Sequence, residues 1–180
     1  MFINTFCITH GHFLISYSHQ ANITHDVCFI ITKINKYNPA TGKSYRVMYK
    51  GQVWKAAKAV CENEGGKLAV PKNKEEFLFM QKLVRGMFYP DIVNTSYRYL
   101  AWVGVNNLDD YRVWKNVDGE EIEKTGYHQW SGDNGNGFSD NIAEPHCGGI
   151  DAANPGLRDW WCHRAQPFIC ERPQLDIIKS

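Results

Sequence analysis

The sequence predicts a single α+β domain built around one long cysteine-framed loop and preceded by an N-terminal extension. Three observations carry this. Two segments with helical apolar spacing are followed by short aromatic and β-branched runs of strand type. Between residues 125 and 155 the chain turns to Gly, Asn, Asp, Ser and Pro with no usable period. Cysteines at 61, 147, 162 and 170 frame that whole region. At 180 residues and 43% hydrophobic composition the chain can fill one core, not two domains with linkers.

The first elements lie beyond a tether. Val27 to Ile31 is a short β-branched run ended by Lys33 and the turn-like Asn38-Pro39-Ala40-Thr41-Gly42, a strand or a tether before a domain that begins near Ser44. Tyr45 to Tyr49 reads as a strand. Val53, Ala56, Ala57, Val60 and Cys61 then fall at helical spacing, and Gly65-Gly66 supplies a left-handed C-cap. A second helix opens at Asn73, an N-cap with Glu75 and Glu76 in the positively polarised first turn. Its Phe77, Met80, Gln81, Val84 and Met87 share a face and read as core. Tyr99 to Val105 is a buried strand, and Trp114 with the Asp118-Gly119 turn marks a short hairpin in which Trp102 and Trp114 are packing residues. The stretch from Thr125 to Pro155 is a long loop, of the kind that serves binding when anchored. Pro167 to Glu171 is a closing strand.

Charge and cysteine usage narrow the function. A net charge of +1, from 20 basic and 19 acidic residues, removes the attraction that nucleic acid or anionic membrane binding needs. The six cysteines are even in number and too scattered for a metal knuckle, so they point to disulfides and an exported protein. Two Asn-x-Ser/Thr acceptors, at Asn22 and Asn94, fit a secreted glycoprotein. The stretch from Phe2 to Ile15 is interrupted by Asn4, His10, Gly11 and His12, making a poor signal core and no membrane span.

Cys61, Trp102-Val103-Gly104-Val105, Cys147, Asp159, Cys162 and Phe168-Ile169-Cys170-Glu171 together resemble the framework of a C-type lectin-like domain. The motifs occur in order across residues 44–173, leaving 1–43 as an extension and 174–180 as a tail. The resemblance implies a double-loop α+β fold with two helices and antiparallel sheets. It implies a disulfide from Cys61 to Cys170, and one from Cys147 to Cys162 that staples the loop. Cys7 and Cys28 are then left to pair with each other, or for one of them to bridge a second chain as a homodimer.

Sugar binding in that family uses a Ca²⁺ ion that coordinates two vicinal hydroxyls, held by hard oxygen ligands. The acid-Pro-amide triplet that supplies ligands reads Asp133-Asn134-Gly135 here, without the proline. Glu144 stands one residue further from Cys147 than the family spacing, with Pro145 in its expected place. The Asn-Asp pair reads Arg158-Asp159, with Leu157 where the family has Trp. A guanidinium has no acceptor and opposes a nearby cation. Three readings follow: a rebuilt Ca²⁺ site from Asp133, Asn134, Glu144 and Asp159, joined by Asn136 or Asp140; a metal-independent module with Arg158 paired to Asp159 or Glu144; or solvated turn formers beside a surface charge.

Catalysis finds little support. His128, His146 and His163 flank the loop but lack metal-binding spacing and a nucleophile partner, and read as lone surface imidazoles. Trp160 and Trp161 are adjacent on a strand and point to opposite faces. Either one is core and the other, exposed, a platform for a sugar ring or a protein, or both are buried. The functional expectation is a secreted, non-enzymatic lectin for glycans on cell or microbial surfaces, its ligand residues drawn from Asp133, Asn134, Asn136, Glu144, Arg158, Asp159 and Trp160. It resembles short invertebrate lectins that act in innate immunity or are delivered by parasites and venoms. The alternative is a metal-independent module for a protein ligand.

Overall fold

The computed structural model describes residues 7–9, 12–14, 35–95, 97–135 and 146–173. Two compact units divide the chain, Met1–Ile34 and Asn35–Ser180. In the first, β1 (Cys7–Thr9) and β2 (His12–Leu14) form an antiparallel pair. The expected Val27–Ile31 strand, the pairing of Cys28 and the Asn22 acceptor fall outside the described residues, as do Asn136, Asp140, Glu144, Pro145 and the 174–180 tail.

The second unit is organised by two long strands, β4 (Lys43–Gln52) and β10 (Gln166–Pro173), antiparallel with Val47 opposite Ile169. β3 (Lys36–Asn38) extends β4 at the sheet edge, upstream of Ser44, and Asn38 closes the intervening turn by accepting from Ala40 N at 3.1 Å. On the other side β6 (Leu100–Asn106) runs parallel to β10. β8 (His146–Asp151) and then β9 (Arg158–Trp161) follow antiparallel. The order is therefore β3-β4-β10-β6-β8-β9, with the short β5 (Lys67–Leu68) paired to β10 and β7 (Lys115–Asn116) to β6.

Helix α1 (Trp54–Asn63) forms where expected, but its buried face is Trp54, Ala57 and Cys61, while Val53 is exposed. The face turns because the Trp54 indole fills the core and its Nε1 donates to the Val103 carbonyl at 2.8 Å. Burying that large ring outweighs burying Val53. At its end Gly65 has φ +76°, and the Gly65 and Gly66 amides donate to the Glu62 and Cys61 carbonyls, the paired bonds of a glycine-terminated helix.

Helix α2 (Lys74–Arg85) is capped by Asn73, whose side chain accepts from Glu76 N at 2.9 Å. Phe77, Met80, Gln81 and Val84 are buried along it, with Met87 just beyond its end. Trp102 and Trp114 are both packing residues, and Lys115 bridges Glu121 across the Asp118-Gly119 turn. The four-residue α3 (Ile122–Thr125) follows.

Both expected disulfides are present: Cys61–Cys170, 109 residues apart, and Cys147–Cys162, 15 apart. The first joins α1 to β10 inside the core cluster that also holds Trp54, Trp102 and Phe168. One expectation fails. The stretch from Thr125 to Pro155 is not a structureless loop, because His146–Asp151 forms the fully buried strand β8, between β6 and β9. Among the described residues, the flanking segments 126–135 and 152–157 are irregular apart from the Trp130–Leu157 bridge.

Candidate functional site

β8 and β9 lie side by side, with Gly149 opposite Arg158 and Gly148 opposite Asp159. The segment from Trp130 to Gly135 packs against the start of β9: Ser131 N donates to the Leu157 carbonyl at 2.9 Å, and Leu157 N to Gln129 at 2.8 Å. Gly135 sits at φ +81°, against the Trp130 ring, where a Cβ would lie 2.4 Å from the nearest ring atom. Trp114 packs 4.4 Å from Trp130 and donates from Nε1 to the Gly135 carbonyl at 2.9 Å. Aromatic packing from the hairpin thus fixes the loop that carries Asp133 and Asn134.

Asn134 joins this loop to β9. Its Oδ1 accepts from Arg158 Nε and from Asp159 N, each at 3.1 Å, while its Nδ2 donates to the Ser131 carbonyl at 2.5 Å. Asp159 answers from the other strand, its Oδ2 accepting from Gly135 N at 3.0 Å. Arg158 does not pair with Asp159, as one reading of the sequence had it: its Nη1 donates to Asp151 Oδ2 at 2.6 Å. Asp151 closes the turn after β8, accepting from Ala153 N, Asn154 N and Asn154 Nδ2. Burial opposes its ionisation, but the bonds from Asn154, Ala153 and Arg158 outweigh burial and hold its carboxyl below the usual value.

These residues border a pocket of about 210 Å³. Asp133, Asn134, Arg158 and Asp159 form its polar wall, and Trp160, Trp161 and His146 the aromatic one. Asp133 is exposed. Neither tryptophan is fully buried or fully exposed, contrary to the expected division between core and surface. Trp160 stacks on Tyr97 at 5.3 Å, which shields one side of it. His146 is not a surface imidazole either. It is 3% exposed, both ring nitrogens lack a hydrogen-bond partner, and its Nδ1 lies 3.6 Å from Asp159 Oδ2. His128 and His163 are exposed. Asn94 is also exposed, with its amide donating to the Gly51 carbonyl at 2.6 Å.

The described donors do not fit a calcium ion at this loop. The Asn134 oxygen already accepts two N–H groups, and a guanidinium lies against it. A cation placed there would meet a fixed positive charge and compete for an occupied acceptor. Among the described residues no group of three His, Cys, Asp or Glu side chains is placed to hold a metal.

Sequence reasoning missed Asp151 as the partner of Arg158. The signal present was Asp151-Ala152-Ala153-Asn154-Pro155, a run in which an Asp caps its own turn. It also missed His146, read as a surface imidazole, as part of the pocket wall.

The lectin C-type domain model matches residues 50–172. CD209 antigen of Symphalangus syndactylus is 25% identical over 130 residues, covering 72% of this chain and 30% of the relative. C-type mannose receptor 2 of Homo sapiens is 28% identical over 120 residues, 66% of this chain and 7% of that protein. The chain therefore spans less than a third of the length of either relative. Among solved structures, the mouse scavenger receptor C-type lectin carbohydrate-recognition domain superposes with TM-score 0.60 at 22% identity, covering 74% of this chain and 92% of that one. A calcium-independent type II antifreeze protein superposes with TM-score 0.56 at 21% identity, covering 73% and 87%. The framework cysteines, the double-stapled α+β fold and the matched family model agree: this chain belongs to the C-type lectin domain family.

Proposed function

We propose that this domain is an extracellular, non-enzymatic lectin that recognises glycans of cell or microbial surfaces through the pocket between the 131–135 loop and β9, without calcium there. The observation that carries this is the bridge from Arg158 to Asn134 and Asp151. By resemblance, Arg158 stands where the family has a metal-ligating Asn, so on this reading a permanent cation takes over the bracing of the loop. The pocket joins fixed polar groups to two indole rings, a combination that suits a pyranose with its hydroxyl rim and apolar C–H face. Relatives named for carbohydrate recognition support the ligand class, and the calcium-independent antifreeze neighbour supports the fold without the ion. Two disulfides favour an oxidising compartment, and no described helix is long and apolar enough to cross a membrane. A role in innate immunity or host modulation rests on resemblance alone.

The test is a glycan array probed with the oxidised protein in EDTA and again in Ca²⁺, beside thermal unfolding with and without Ca²⁺. Array signals equal in both buffers, with an unchanged melting temperature, are expected. A ligand bound by the native state alone must raise that temperature. Signals abolished by EDTA together with a Ca²⁺-dependent rise would sink the proposal, and an array blank in both buffers would remove the glycan.

A further inference from the structure

Beyond the pocket, one run of rings continues across the surface. Trp161 meets Trp160 at 5.1 Å, Trp160 stacks on Tyr97 at 5.3 Å, Tyr97 meets Tyr99 at 5.7 Å, and Tyr99 meets Tyr89 at 5.1 Å. The rings come from β9, from the segment entering β6 and from the short turn Tyr89–Asp91, so three separate parts of the chain converge on the ladder. Its pocket end is half-buried. Its far end is open: Tyr99 is 53% exposed, and Phe88 and Val93, on either side of the Tyr89–Asp91 turn in sequence, are 62% and 53% exposed. A core would hide such residues, and exposed apolar surface joined to a polar pocket marks a place of contact.

We propose that this ladder is a subsite for the further sugar units of an oligosaccharide whose terminal unit sits in the pocket. The inference rests on the glycan reading above and extends it. Tyrosine and tryptophan present flat apolar area with a polar tip, which suits C–H faces and hydroxyl edges alternating along a saccharide chain. Continuity favours this occupant over a polypeptide, since Trp160 touches both the pocket and Tyr97. Weak contacts joined in one chain gain affinity because the later ones are intramolecular.

Two oligosaccharide series, β1,4-linked N-acetylglucosamine and α1,2-linked mannose, each from one to five units, are titrated calorimetrically into wild type, Tyr99→Ala and Tyr99→Phe. In at least one series affinity should rise about tenfold between one and three units. Tyr99→Ala should erase that gain while leaving monosaccharide affinity intact, and Tyr99→Phe should restore it. Monosaccharide binding with no gain in length, or a gain that survives Tyr99→Ala, overturns the ladder and leaves the pocket reading standing. No binding in either series overturns both. Retention of a deglycosylated glycoprotein that is lost in Tyr99→Ala would assign the ladder to polypeptide instead.

Discussion

Replacing Arg158 by Ala is the sharpest perturbation of the site. It removes the Nη1 bond to Asp151, at 2.6 Å, and the Nε bond to Asn134, at 3.1 Å. Breaking a fully buried ion pair costs about 3–5 kcal/mol. Two facts lower that here. The Arg158 side chain is 20% exposed, and Asp151 keeps three local donors, from Ala153 N, Asn154 N and Asn154 Nδ2. A loss of about 2–3 kcal/mol follows, near the value of a hydrogen bond to a charged group. For a domain of this size that lowers the melting temperature by about 6–12 °C, read by circular dichroism at pH 7. The pH dependence supplies a second readout. Asp151 has a folded-state pKa below its unfolded one, so its stabilisation is present above the unfolded value of about 4 and lost as pH falls through the folded value. Without Arg158 the burial penalty is opposed less, the folded-state pKa moves back toward the unfolded one, and the part of the acid-induced loss that Asp151 contributes becomes smaller. Arg158→Lys keeps the charge but cannot span both acceptors, so it should recover only part of the loss. A melting temperature within about 2 °C of wild type, with an unchanged acid limb, would refute a bracing role for Arg158.

Lys43 lies between two buried carboxylates, 3.1 Å from Glu76 and 3.5 Å from Glu171. Burial raises the Glu171 carboxyl above the usual range, and Lys43 opposes that rise. Lys43→Met should therefore cost about 2–4 kcal/mol at pH 7, and the gap to wild type should narrow toward pH 5 as Glu171 takes up a proton; chemical denaturation at both pH values reads it. Removing Cys61–Cys170, which closes 109 residues, should cost about 4–5 kcal/mol, against about 3 for the 15-residue Cys147–Cys162 loop, in paired Cys→Ala variants. Equal losses from the two pairs would argue against a chain-entropy origin.

The parts of the fold that were legible carry local signals. α2 announced itself through the Asn73 cap and an unbroken apolar face, and structure and pattern agree there. α1 was found but turned, because counting apolar positions from Val53 ignores which ring the core needs. β8 was lost for a different reason. Its Gly148 and Gly149 have no strand preference of their own, yet a Cβ at Gly149 would stand 2.6 Å from the Leu100 side chain and one at Gly148 2.8 Å from Val105. The strand needs glycine because its neighbour β6 approaches so closely. Such a requirement belongs to the tertiary structure. The same holds for the site: Arg158 was visible as a departure from the metal pattern, whereas Asp151 becomes its partner only once β8 and β9 pair.

Exchanging a divalent ion for a guanidinium changes what a sugar can be asked to show. A calcium ion accepts lone pairs from two neighbouring hydroxyls and so reads their spacing. Arg158 donates through directed N–H groups, and two of its three nitrogens are committed to Asn134 and Asp151. Little of it remains to read a diol. On the proposed reading, discrimination passes to the exposed Asp133 carboxylate and the indole faces of Trp160 and Trp161, which respond to the apolar face of a pyranose more than to any one pair of hydroxyls. Selectivity should then follow ring-face shape and chain length. Chelators should leave binding unchanged.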